Sequence, residues 1–204
     1  MDNRALFKIS YGLFVLTARD GEKDNGCIIN TFSQVTSTPL RASIAINKLN
    51  LTCQMIQKTG KFSVSALDVT APFELFKRFG FQSGKDADKF ADFEAVKRGD
   101  NGILQLTEHV SAVFSGTVVQ EIDLGTHVMF IADIDDAEVV GDADSVTYTY
   151  YQENIKPKFK PAKGIKGWRC VVCGYIYEGE VLPPDFICPV CKHGAVDFVP
   201  IMEE

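Results

Sequence analysis

The chain has 204 residues and a formal net charge of −6, with a sequence pI of about 5.1. This acidic balance argues against nucleic acid or an anionic membrane surface as the partner. The apolar runs are the length of strands and fall short of a membrane span, and no signal-peptide pattern follows Met1. Six cysteines suit a reducing compartment, so we expect a cytoplasmic protein.

The first 154 residues read as β-rich, because short runs of strand-forming residues are bounded by Gly, Asp, Asn or Pro. Strands are predicted over 11–18, 27–32, 42–46, 62–67, 112–121, 127–133 and 146–150. Three helices are predicted: one from the N-cap Asn50 to Gly60, one over 72–79 and one over 89–97. Mostly antiparallel strands with few helices predict a barrel. Cys27 and Cys53 are expected to be buried free thiols.

Two polar clusters in this part follow predicted strands. The first contains Asn30, Thr31, Ser33 and Gln34, which either cap a strand end or hydrogen-bond a ligand. In the second, Asn47, Lys48, Asn50 and Thr52 lead into a helix. A helix start with free N–H groups beside a lysine makes a phosphate site plausible, although these residues also suit a plain cap with a solvated face. No Gly-x-Gly-x-x-Gly fingerprint supports a Rossmann site.

These clusters resemble the flavin reductase-like family, which has an FMN-binding split barrel. The matching pieces are Asn30-Thr31-Phe32-Ser33-Gln34-Val35, Asn47-Lys48-x-Asn50-x-Thr52, Gly60-x-Phe62-x-Val64-Ser65, Phe81-x-Ser83-Gly84-x-Asp86-x-Asp88-Lys89-Phe90 and Gly125-Thr126-His127. The resemblance implies a homodimer with FMN at its interface, and places His127 near the flavin and the nicotinamide. It implies flavin contacts from Cys27, Ile28, Ile29, Asn30, Thr31, Ser33, Gln34, Asn47, Lys48, Asn50, Thr52, Ser83 and Lys89. A surface loop remains the alternative for Ser83 and Lys89, and a structural histidine for His127.

Residues 155–166 read as a linker between two domains, because two prolines and five lysines in this stretch favour neither a packed helix nor a central strand. At about 3.1 Å per residue, such a linker reaches on the order of 35 Å when extended. Its lysines either solubilise the chain or dock on an acidic partner.

Residues 167–204 contain two Cys-x-x-Cys units, Cys170/Cys173 and Cys188/Cys191, separated by fourteen residues. Paired units of this kind form a closed tetrahedral site for zinc or a single iron, and redox-active dithiols are the other interpretation. Gly174 suits the tight turn after the first unit. Aromatic residues surround the cysteines where a zinc ribbon usually has polar ones: Trp168, Tyr175, Tyr177, Phe186 and Phe198.

This region resembles rubredoxin over residues 167–200, on the motifs at 170–177 and 182–191 and the later Asp197-Phe198. The segment between the two cysteine pairs is about half as long as in free-standing rubredoxins, as in rubredoxin modules fused to larger redox proteins. The resemblance implies one iron held by the four cysteines, which carries one electron at a time. The expected fold is therefore mainly β: an FMN-binding split β-barrel (1–154), the linker (155–166) and a rubredoxin-like Fe(Cys)4 domain (167–204).

The combination resembles the high-molecular-weight rubredoxins of anaerobes. It implies electron flow from NAD(P)H through FMN to iron and on to an external acceptor such as a flavodiiron protein, which reduces oxygen or nitric oxide. FMN would link a two-electron donor to a one-electron acceptor. Two other interpretations stay open: an electron relay fed by a separate reductase, and a flavin-binding protein with a structural zinc ribbon.

Overall fold

The computed structural model describes residues 5, 8–157, 165–184, 186–191 and 193–202. The chain divides into two compact units, one up to Lys156 and one from Pro157 onward. Of the predicted linker, residues 158–164 lie outside the described residues. At its two ends, Ile155 closes a helical turn, Lys156 is 8% exposed with its ammonium 6.0 Å from the Tyr151 ring, and Ile165 begins a strand.

The first unit is built on one antiparallel sheet of seven strands, in the order β2-β1-β5-β8-β9-β4-β3. Two short strands, β6 and β7, form a separate hairpin. The strands are β1 (Phe14–Asp20), β2 (Lys23–Ile29), β3 (Ser33–Ser37), β4 (Leu40–Asn47), β5 (Lys61–Leu67), β6 (Val96–Arg98), β7 (Leu104–Leu106), β8 (Val110–Asp123) and β9 (His127–Val139).

Strands β8 and β9 join the two halves of this sheet. The first half of β8 pairs with β5, whereas the first half of β9 pairs with β4. Their own pairing is interrupted at Ser115/Gly116 and at Val118/Gln120, and such bulges bend and twist a long strand pair. Gly116 is needed at the first interruption, because a Cβ there would lie 2.7 Å from the Phe62 ring.

Two of the predicted helices are present. Helix α1 (Leu51–Thr59) begins after Asn50, whose side chain accepts a hydrogen bond from the Thr52 N–H, and it ends at Gly60 with a φ of 68°. Helix α2 (Phe73–Gly80) begins directly after Pro72.

The prediction of a helix over 89–97 is wrong. This stretch makes turns and then enters β6, with Asp92 in the left-handed region at a φ of 54°. Phe90 and Phe93 turn inward against the Phe79 ring, at centroid distances of 5.3 and 5.5 Å. These ring contacts override the weak helical pattern of the sequence.

The prediction of a strand over 146–150 is wrong as well. Thr147 accepts a hydrogen bond from the Tyr150 N–H and so caps a helix, α3 (Tyr148–Tyr150), which continues as a π-helical turn (Tyr151–Ile155). The Tyr151 ring packs 4.5 Å from the Phe76 ring, so a tertiary contact fixes this segment.

The sheet carries a hydrophobic cluster on each side of β1. One contains Leu16, Ile44, Phe62 and Phe130 and packs under α1. The other contains Val15, Leu67, Phe79 and Val113 and packs under α2 and the segment that follows it. Residues alternate between these clusters along β1, as the period of two in a strand requires. Cys27 and Cys53 are buried and free, as predicted, and both belong to the first cluster.

The second unit is a sheet of three strands around the four cysteines, in the order β11-β10-β12. The strands are β10 (Ile165–Cys170), β11 (Ile176–Glu178) and β12 (Phe198–Met202). Its core consists of Trp168, Phe198 and two of the cysteines. Across the described residues of both units, no helix has the length and apolarity that a bilayer crossing needs.

Candidate functional site

The four predicted metal ligands come together in the second unit. The sulfur atoms of Cys170, Cys173, Cys188 and Cys191 all lie within 4.8 Å of one another. The Cys170 and Cys191 sulfurs are 3.5 Å apart, and those of Cys173 and Cys188 are 3.4 Å apart. A tetrahedral site with metal–sulfur bonds of about 2.3 Å has sulfur–sulfur edges of about 3.8 Å. The donor set and its size therefore fit one zinc or iron ion.

Backbone N–H groups point at the sulfurs in both Cys-x-x-Cys turns. The Cys170 sulfur receives the N–H groups of Cys173 and Val172, and Gly174 follows at a φ of 79°. Burial alone would raise the pKa of Cys188, but the N–H groups of Cys191 and Val190, together with the thiols of Cys173 and Cys191, lower that pKa to about 7. Hydrogen bonds of this kind stabilise thiolates, the form that binds a metal.

The cluster has a buried side and an open side. Cys170 and Cys188 are fully buried, whereas Cys191 is half-buried and Cys173 is exposed. On the buried side, aromatic rings close around the sulfurs, with Phe186 and Phe198 edge to face at 5.3 Å. The Trp168 ring is anchored by its Nε1–H, which donates to the carbonyl oxygen of Glu180.

In the first unit, two predicted cofactor residues, Asn47 and Lys48, meet the predicted catalytic residue His127 where β4 leads into α1. Asn47 pairs with His127 across β4 and β9, and the Lys48 ammonium lies 2.6 Å from an Asp123 carboxylate oxygen. The His127 Nδ1 is 2.9 Å from the Thr126 hydroxyl. The structure thus places the imidazole and a lysine at the same end of the β8–β9 hairpin.

A second group of predicted cofactor residues is buried at the start of α1. Thr52 is 0% exposed, and its hydroxyl accepts a hydrogen bond of 2.9 Å from the Asn25 amide. The Cys27 thiol lies against the side chains of Thr52 and Asn50 and near the Lys89 charge. Burial raises the pKa of the Cys27 thiol, and these three neighbours oppose the rise without cancelling it.

The remaining candidates lie around these two groups. The Thr31 hydroxyl bonds both the N–H and the carbonyl of Ala45, so it links the chain after β2 to β4. Ser33 and Gln34 lie in β3, in which every residue is exposed. The Ser83 hydroxyl accepts from the Lys85 N–H within the segment after α2. Ile28 and Ile29 are packed into the cores, which leaves only their backbone for polar contacts with a ligand.

Two residues that the sequence analysis missed shape this region. Asn25 is 2% exposed and supports Thr52, although an Asn-Gly pair usually signals a turn. Asp123 holds Lys48, and the Lys48 hydrogen bond and the Gly125 N–H lower the pKa of this carboxyl. Asp123 is the last residue of β8, and no local sequence pattern indicates this pairing, which depends on the length of the β8–β9 hairpin.

Comparison with known proteins separates the same two parts of the chain. Residues 6–158 match the model of the flavin reductase like domain, and residues 168–199 match the rubrerythrin, rubredoxin-like domain. A high molecular weight rubredoxin of Moorella thermoacetica is 34% identical, over 95% of this chain and 97% of the relative. A ferric-chelate reductase (NAD(P)H) of Archaeoglobus fulgidus is 40% identical, over 78% of this chain and 93% of the relative.

Solved structures agree with the fold of the first unit. The NADH:FAD oxidoreductase SgcE6 of Streptomyces globisporus superimposes with a TM-score of 0.63 at 18% identity, over 72% of this chain and 89% of that one. The flavin reductase-like fold positions the α1 start and the β8–β9 hairpin, and the four cysteines belong to a separate module. This chain therefore belongs to the flavin reductase-like family and joins that domain to a rubredoxin-like domain with a four-cysteine metal site.

Proposed function

We propose that this protein is an electron-transfer flavo-rubredoxin that takes electrons from NAD(P)H through FMN to one iron ion and passes them to an external acceptor. The observation that carries the proposal is the presence of a flavin reductase-like unit and a four-thiolate cluster in one chain. The Archaeoglobus relative, named as a ferric-chelate reductase (NAD(P)H), aligns with 78% of this chain and supports the choice of donor. FMN supplies a carrier that accepts two electrons as hydride and gives them up singly.

The residues of the first unit would bind and orient the flavin and the nicotinamide. Lys48 and the start of α1 offer positive charge for the FMN phosphate. The segment from Cys27 to Gln34 offers backbone and side-chain groups for the ring and the ribityl chain. His127, held through its Nδ1 by Thr126, presents its other ring nitrogen for contact with the nicotinamide or the flavin edge.

The residues of the second unit would hold the iron and set its potential. Four thiolates and the N–H groups that face them stabilise the metal, and the aromatic wall keeps water from the buried side. Iron is favoured over zinc because rings rather than polar side chains line that side. The partly exposed Cys191 and the exposed Cys173 leave one side of the cluster open for a redox partner.

A homodimer is part of this proposal. All five residues of β3 are exposed, and so are the last five residues of β8. Leu49, Ile122 and Leu124 add exposed apolar surface beside the candidate flavin residues. A second copy that covers this region would bury the apolar surface and enclose the flavin.

We propose a flavodiiron protein as the acceptor. Because the cysteines are free thiols, we propose a reducing cytoplasm as the location.

The visible spectrum before and after anaerobic addition of NADH tests the proposal. We expect overlapping flavin and ferric-thiolate bands, with the flavin band bleaching first and the iron band following. Both bands present but unchanged by NADH would favour a relay that needs a separate reductase. Flavin bands alone, with zinc at full occupancy, would show a flavoprotein with a structural zinc ribbon and refute the electron chain.

A further inference from the structure

Lys89 is a buried lysine in the segment that follows α2. It is 3% exposed, and its ammonium donates to two backbone carbonyl oxygens. One belongs to Gly26 in β2, at 2.9 Å, and the other to Phe79 near the end of α2, at 3.1 Å. The carbonyl groups at a helix end lack partners within the helix and carry partial negative charge, so Lys89 satisfies α2 and reaches β2 at the same time.

The charge of Lys89 is not paired with an acid. In the part of the chain that the structure describes, its ammonium has only these two neutral acceptors, and no carboxylate lies within ion-pair distance. Burial lowers the pKa of Lys89, while the nearby Cys27 thiol opposes the shift. Burying a cation without a carboxylate partner lowers the stability of the fold. Such buried charges are usually kept where they have a function.

The Gly26 end of this contact lies directly before the segment proposed to bind the flavin. Strand β2 ends at Ile29, and Cys27 to Gln34 are the candidate contacts with the ring. Gly26 itself is tightly enclosed: a Cβ there would lie 3.2 Å from both the Leu16 carbonyl and the Phe79 ring. A side chain that donates a hydrogen bond to the Gly26 carbonyl therefore helps to set the position of the residues that follow Gly26.

Arg78 also contacts the segment that follows α2. An Arg78 variant can therefore separate an effect of this segment from an effect of Lys89 itself. The Arg78 guanidinium donates to the carbonyl oxygens of Lys89 and Ala91 and lies over the Phe93 ring. Among the described residues, Arg78 makes no hydrogen bond to β2. Arg78 and Lys89 thus hold the same turns, but only Lys89 connects them to the strand that leads to the flavin.

We propose that Lys89 is a positioning residue for the flavin rather than a ligand of its phosphate. Its ammonium fixes Gly26, and with it the start of the flavin-contact segment, to the carboxyl end of α2. The same ammonium places a positive charge beside that segment, which favours the more negative reduced flavin over the oxidised one. This inference rests on the proposed function of the first unit as a flavin site.

The test compares the full-length wild type with Lys89→Met, Lys89→Gln and Arg78→Met. Flavin titration gives the Kd for FMN and for riboflavin, and spectroelectrochemistry gives the flavin midpoint potential. Met keeps the length of the lysine stem but loses the charge and the donors, whereas Gln keeps two N–H donors without the charge. The ferric-thiolate bands and the Trp168 fluorescence of each variant show whether the second unit is intact.

We expect Lys89→Met to weaken FMN and riboflavin binding alike, by about tenfold, since the start of the flavin-contact segment loses a charge-assisted hydrogen bond that holds it in place. Lys89→Gln should recover part of this affinity, and the midpoint potential should fall in both variants. Arg78→Met should leave the Kd within about twofold of the wild type, as is usual for a partly exposed side chain. If Lys89→Met does not fold, Lys89→Gln gives the same comparison.

Three results would overturn the inference. Loss of FMN affinity with unchanged riboflavin affinity would make Lys89 a direct phosphate ligand. Unchanged affinity and potential in the folded Lys89 variants would make it purely structural, and equal losses in Arg78→Met would assign the effect to the segment as a whole. A wild type that binds neither flavin would instead refute the proposed function, on which this inference depends.

Discussion

The buried hydroxyl of Thr52 offers a direct way to separate a structural role from a role in flavin binding. Thr52→Val keeps the shape of the side chain and removes the hydroxyl, so the Asn25 amide loses the acceptor that lies 2.9 Å away. Both residues are almost fully buried. Leaving a buried donor without a partner costs about 1–3 kcal/mol.

For a protein of this size, each kcal/mol lowers the midpoint of thermal unfolding by about 2–4 °C. We therefore expect the first unit of Thr52→Val to melt roughly 2–12 °C below the wild type. Far-UV circular dichroism follows the first unit, which holds most of the secondary structure. Trp168 is the single tryptophan of the chain and lies in the second unit, so its fluorescence should melt unchanged and serves as an internal control.

Thr59→Val is the matched control in the same helix. Thr59 is exposed and its hydroxyl donates to the carbonyl of Met55, four residues earlier, so its loss should change stability by no more than about 0.5 kcal/mol. If Thr52→Val and Thr59→Val have the same melting temperature, the assignment of a structural role to the buried hydroxyl is refuted. A Kd for FMN that rises by more than about tenfold, with little loss of stability, would instead place this hydroxyl on the phosphate.

Three further predictions concern the metal, a surface ion pair and the linker. Cys170→Ser should lose the metal and unfold the second unit, because metal binding supplies most of its folding free energy. Metal analysis and Trp168 fluorescence measure these two losses. A variant that keeps the metal and the folded second unit would refute the four-thiolate site. Asp123→Asn should free Lys48 for the FMN phosphate and lower the Kd for FMN by up to about fivefold. An unchanged Kd would show that Lys48 does not bind the phosphate. Since Lys48 lowers the pKa of Asp123, the wild-type ion pair is present at neutral pH and is lost only as the pH falls through that lowered value, so the two proteins should converge in acid. Cleavage within 158–164 should leave flavin reduction intact but make iron reduction slower and dependent on protein concentration, because the tether supplies the effective concentration; stopped-flow mixing with NADH measures both, and an unchanged iron rate would exclude a role for the tether.

The metal site could be predicted from the sequence in nearly full detail. Its ligands lie in two short turns, so local spacing determines which atoms point at the centre, and the structure brings the four sulfurs within 4.8 Å. The start of α1 was equally predictable, because Asn50 and Gly60 cap it through contacts inside the helix. Signals that act within a few residues are visible without the fold.

The failures all depend on contacts between distant segments. The stretch over 89–97 has helix-compatible residues, but Phe90 and Phe93 find the Phe79 ring instead. The roles of Lys89 and Thr52 were also hidden, since both depend on side chains or carbonyls of β2, more than twenty residues earlier. Neither a charge pattern nor a capping rule indicates that a lysine lies inside the protein.

Because the four sulfurs differ in exposure, a redox partner can approach the metal centre most closely from its open side. Electron transfer by tunnelling slows steeply with distance, and the open side, with Cys173 and the neighbouring Val172 and Val190, puts almost no protein between the ligands and a docked partner. Val172 is 42% and Val190 is 65% exposed, so among the described residues an approaching surface meets an apolar rim here and forms contact by excluding water. Delivery of electrons through this side should therefore be nearly independent of ionic strength, and a steep salt dependence of the transfer rate would show that the partner approaches elsewhere.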